Sequence, residues 1–117
     1  MEKRNIIKEK SYDFAIVIVR LVKILMEKKE FVLSKQLLRS GTSIGANIRE
    51  AVQAQSKADF IHKLSIALKE ASETEYWLDL LRATDYITNE EYESIMPKLV
   101  ELLKLLTSII NTSKNNN

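Results

Sequence analysis

The chain has 117 residues, 45% of them hydrophobic and 29% charged, with a net charge of +2. That length describes one domain with enough apolar mass for a core, and a balance so near zero does not demand a polyanionic partner. The absence of cysteine excludes disulfides and thiolate metal sites and fits a reducing cytoplasm, while two glycines and one proline leave too little punctuation for sheets and hairpins, so the fold class expected is all-α.

The first helix is predicted from Ser11, a good N-cap, to near Lys29. Phe14, Ile18, Leu21 and Leu25 form one stripe at helical spacing, with Ala15, Val19, Val22 and Met26 beside it. Residues 1–10 read as a flexible end. Ile16 to Val19 are all β-branched, which suits a strand, but no turn follows before Lys28. The apolar run Phe14–Met26 is broken by Arg20 and Lys23 and is too short for a bilayer core of ~30 Å, so no membrane partner is expected. The polar start, Met1 to Asn5, is not followed by a signal-like apolar segment.

The second helix is predicted over Val32–Gln55, with Leu33, Leu37, Gly41, Ile44, Ile48, Ala51 and Val52 on one face. Gly41 and Gly45 stand one turn apart inside it. Each costs about 1 kcal/mol relative to alanine, which marks a place where another backbone comes close. A break at Ser40–Gly41 is the competing reading. The third helix starts at Ser56, with Asp59 as its capping partner, and runs to about Thr84. Phe60, Leu64, Ala67, Ala71, Thr74, Leu78 and Leu81 make its inward face. Thr88 to Glu91 form a capping box for the fourth helix, whose stripe is Tyr92, Ile95, Met96, Leu99, Leu103, Leu106 and Ile110. Pro97 is expected to kink it or mark a restart, and residues 112–117 to fray.

Four helices with short connections describe one antiparallel up-down-up-down bundle over residues 1–117. More apolar surface is present than one such bundle hides. Ile66, Trp77, Leu80, Leu102 and Leu105 lie off the inward stripes, so a homo-oligomer that buries them is expected.

Little here points to catalysis. His62 is the sole histidine, and Asp59-x-x-His62 is a single half of a di-iron pattern that needs two copies and further glutamates. Glu75 stands at the margin of the inward face of the third helix. It is expected to pair with Ser40, Asn47 or Arg49 in a structural network, since no second titrating group converges on it. No cofactor is expected. Charge is unevenly spread: residues 28–49 carry Lys28, Lys29, Lys35, Arg39 and Arg49 against Glu30, a net of +4. Residues 73–93 carry seven acids against Arg82, a net of −6. The five bases are the candidate phosphate contacts, and repetition around an oligomer would multiply their field.

The run Gln36 to Ala51, above all Ser43-Ile44-x-x-Asn47-Ile48-x-Glu50, together with Asp59-Phe60 and Leu64 to Ala71, resembles the 23S rRNA-intervening-sequence proteins. The likeness extends from about Tyr12 to Ile110. It implies a small bacterial four-helix bundle without enzymatic activity that closes into a homopentamer. It also implies kinship with accessory proteins of diversity-generating retroelements, basic pentamers that associate with a reverse transcriptase and nucleic acid. The partners expected on this basis are the chain itself and RNA or a nucleic-acid-associated protein, and Gly41, Gly45 and Asn47 fall in the signature as packing residues.

Overall fold

The computed structural model describes residues 2–116, with side chains from Ile6 onward. Four helices account for nearly all of them: α1 (Glu2–Glu27), α2 (Val32–Val52), α3 (Lys57–Ala83) and α4 (Asn89–Asn115). Among the described residues there is no strand. α1 packs on α2 and α4, and α3 packs on the same two, so the helices form a square with no close backbone approach across its diagonals among the described residues. The result is a rod of 49 × 21 × 19 Å.

α1 starts more than two turns before Ser11. That serine is no cap: it is buried, and its hydroxyl donates to the carbonyl of Lys8 at 3.0 Å. Ile7, 1% exposed, extends the stripe of Phe14, Ile18, Leu21 and Leu25 toward the N-terminus. Burial of Ile7 is what holds a polar segment in helix, and the expected flexible end over residues 6–10 is therefore corrected. At the other end α4 continues through residues 112–115; Met1 and Asn117 lie outside the described residues.

α2 is unbroken at Gly41 and ends at Val52, short of Gln55. There the chain tightens, with the amides of Gln53 and Ala54 donating to the carbonyls of Glu50 and Ala51. Its buried face is Ser34, Leu37, Ser40, Gly41, Ile44, Ile48 and Ala51. Leu33 and Val52, expected inside, are only half-buried. A Cβ placed on Gly41 would stand 2.9 Å from Cγ2 and 3.0 Å from Cγ1 of Ile18, a fully buried residue that would have to shift. One on Gly45 would stand 3.4 Å from the carbonyl oxygen of Ser11, an ordinary contact. Close approach of α1 thus requires glycine at the first position and merely permits it at the second.

The caps of α3 and α4 form as the sequence predicts. Ser56 Oγ accepts the amide of Asp59, and Thr88 and Glu91 exchange side chain-to-backbone bonds of 2.8 and 3.0 Å. α4 passes through Pro97 without a break. Pro97 and Glu93 are both exposed, so the carbonyl that loses its amide partner can meet solvent. The α4 stripe is rotated from the expected one. Leu102 is 1% exposed and belongs to the core, whereas Leu103 is half-buried. Leu102 is therefore removed from the expected oligomer surface. Its place follows from the series 95, 99, 102, 106, 109, which tracks a helix face better than a series through 103.

Candidate nucleic-acid interface

α1 stops at a Schellman turn: the amide of Lys29 donates to the carbonyl of Met26, and that of Glu30 to that of Leu25, with Lys29 at φ 66°. α3 stops the same way around Asp85, φ 67°, with bonds to Arg82 and Leu81. Both left-handed positions thus lack the usual glycine. The two turns are stitched together by the Lys28 ammonium, which donates to the carbonyl of Tyr86 at 3.2 Å. This places both turns at one end of the rod.

α2 begins under Glu30. Its carboxylate accepts the amides of Val32, Leu33 and Ser34 at 3.2, 3.0 and 2.6 Å, and the Ser34 hydroxyl donates back to the carbonyl of Glu30 at 2.7 Å. Burial alone pushes this carboxyl up, but the amides of Leu33, Ser34 and Val32 together outweigh it and hold it below the usual carboxylate range. The sequence reading missed this cap because it seeks Ser, Thr, Asp or Asn at the N-cap itself, here Phe31, whereas Glu30 reaches in from one residue earlier.

Anchoring that turn leaves its next residues outward. Phe31 is 56% and Val32 72% exposed. Tyr86, Lys28, Lys29 and Lys35 are also exposed around the same end. Three lysines interleaved with two aromatic rings are a fitting surface for a phosphate chain bearing stackable bases.

The other two predicted cations stand elsewhere. Arg39, on the outer side of α2, bonds Glu70 at 3.0 Å and also Glu73 of α3. The Trp77 indole N–H donates to Glu73 at 2.9 Å. Trp77 and then Arg39 hold the Glu73 carboxyl below its ordinary range. Arg39 is thus neutralised within the bundle, and the expected single patch is corrected on this point. Arg49 lies near the far end of α2, its guanidinium 5.1 Å from the centre of the Tyr12 ring.

The expected network of Glu75 is also corrected. The buried polar pair between α2 and α3 is Ser40 with Thr74, whose hydroxyls are 2.9 Å apart. Glu75, one residue on, is turned off that face and only half-buried. Asn47 donates to the carbonyl of Ser43 at 2.8 Å within α2. Ile66, Trp77, Leu80 and Leu105 are half-buried, and Val19, Ile24 and Met26 of α1 are exposed. His62 is exposed, and among the described residues no three acidic, histidine or cysteine side chains converge to hold a metal ion.

Fold and surface together define a class, the small all-α bundle of four helices, here with Lys28, Lys29 and Lys35 exposed at one end beside Glu27 and Asp85. The chain belongs to the 23S rRNA-intervening sequence protein family, whose model matches residues 3–108. It is similar to a crystallised protein of unknown function from the S23 ribosomal protein family of Bacteroides thetaiotaomicron VPI-5482. The two share 67% identity and a TM-score of 0.92, over 93% of this chain and 98% of that one. No match was found among curated proteins.

Proposed function

We propose that the protein is a non-catalytic, homo-oligomeric antiparallel bundle that binds RNA, alone or in a ribonucleoprotein, through the end carrying Lys28, Lys29, Lys35, Phe31 and Tyr86. The observation that carries this reading is the outward Phe31 ring set among Lys28, Lys29 and Lys35, none of which forms an ion pair among the described residues. The antiparallel arrangement is supported by the short connections and by the pairing of Gly41 with Ile18 and of Gly45 with Ser11. Oligomerisation, a pentamer by family kinship, is supported by the apolar side chains of α1, α3 and α4 left at the surface. A cytoplasmic location is supported by the lack of cysteine. No helix among the described residues is long and apolar enough to cross a membrane.

Fluorescence anisotropy with a structured RNA tests the reading. Affinity is expected to fall steeply with salt, with a slope reduced by about one for each of Lys28, Lys29 and Lys35 changed to alanine. No binding at low salt, or binding indifferent to salt, overturns it. A second reading is a protein-binding scaffold, favoured by the 72% exposure of Val32, an aliphatic side chain that nucleic acid has little use for. A defined protein partner retained after nuclease treatment, and lost on changing Val32 to aspartate, would establish it.

A further inference from the structure

We propose that the groove between α1 and α2 at the opposite end of α2 is a binding site for a phosphate group, formed by Lys8, Tyr12, Gly45 and Arg49. It is a hollow of about 250 Å³ lined by Lys8, Ser11, Tyr12, Ala15, Thr42, Gly45, Ala46 and Arg49. A second hollow of about 270 Å³ shares Lys8, Tyr12 and Arg49 with it and adds Glu9, the one carboxylate at the rim. Both are independent of the lysine-rich end. Lys35 and Arg49 are fourteen residues apart on one helix, roughly 21 Å at the rise of an α-helix.

The chemistry of the walls selects the ligand. Lys8 stands on α1 and Arg49 on α2, and among the described residues neither forms an ion pair, whereas Lys10, Arg39 and Lys63 each do. The Arg49 guanidinium lies over the Tyr12 ring, a contact that does not use its N–H donors. The hydroxyls of Ser11 and Thr42 donate to the carbonyls of Lys8 and Leu38, so the lining residues with side-chain donors left to offer are Lys8, Arg49 and Tyr12. An anion with oxygens on several sides can accept from both walls at once; a flat carboxylate is satisfied by the arginine fork alone. Gly45 makes the floor. Its φ is ordinary and a Cβ there would meet no clash, so the packing of α1 on α2 does not require glycine. What its missing side chain provides is depth between the two cations.

The test is amide and side-chain NMR of the full chain titrated with inorganic phosphate, with a ribodinucleotide phosphodiester, and with acetate. Saturable shifts centred on Lys8, Tyr12, Gly45 and Arg49 are expected with at least one phosphate probe and not with acetate. Arg49→Ala is expected to weaken binding about tenfold or more. Ala46→Leu, which fills the hollow from an exposed helical position, is expected to abolish it with the melting curve unchanged. Response to inorganic phosphate alone identifies a terminal phosphate as the ligand, and response to the dinucleotide identifies a nucleic-acid backbone. No saturable shift with either, equal shifts with acetate, or shifts untouched by both variants would overturn the site.

Discussion

Glu30 concentrates the stability argument in one side chain. Its carboxylate serves three amides at the start of α2, and its pKa in the folded chain is depressed. The stabilisation is therefore complete above the unfolded value, roughly 4.3, and disappears as pH falls through the folded one. Glu30→Ala is expected to cost about 1–2 kcal/mol at neutral pH. Denaturant melts should show wild type and variant converging in strong acid; a gap that persists there would mean the charge is not the stabilising element. The two glycines separate in the same assay. Gly41→Ala places a Cβ against buried Ile18 and is expected to destabilise by about 1–2 kcal/mol, with leucine worse still. Gly45→Ala is expected to stabilise by about 0.5–1 kcal/mol, because only its helix propensity changes. Asp85→Gly relieves a left-handed residue and is expected to raise the melting point.

Between elements, the buried pair Ser40–Thr74 ties α2 to α3 across an apolar seam, while each hydroxyl also reaches a carbonyl of its own helix, that of Leu37 and that of Glu70. Thr74→Val alone is expected to cost about 1 kcal/mol, and the double change with Ser40→Ala less than the two single costs combined. Additive costs in a double-mutant cycle would show that the hydroxyls are not coupled. The α3–α4 seam has its own tie: Tyr92 donates to Asp79 at 2.6 Å beneath the Arg82 guanidinium, 3.7 Å from the ring centre. The helices themselves were legible from residues alone. Capping boxes, apolar periodicity and the scarcity of glycine and proline are local signals, and three of the four starts follow from them. The start of α1 was not legible, because Ile7 is helical by virtue of what it packs on rather than of any cap.

At the scale of the molecule, the proposed assembly rests on the apolar side chains left at the surface. Sedimentation at micromolar concentration is expected to show a particle about five times the 13.5 kDa chain; a monomer would refute it. The sequence by itself determined that four amphipathic helices form, roughly where they begin and end, and which family they belong to, because those properties reside in spacing and composition along the chain. Only the tertiary structure decided which cations are available. Lys35 and Arg39 share a helix face and are both exposed, yet only Arg39 is bound to two glutamates more than thirty residues away. Electrostatic neutralisation depends on distance in space, and a count of charges along the chain has no access to it.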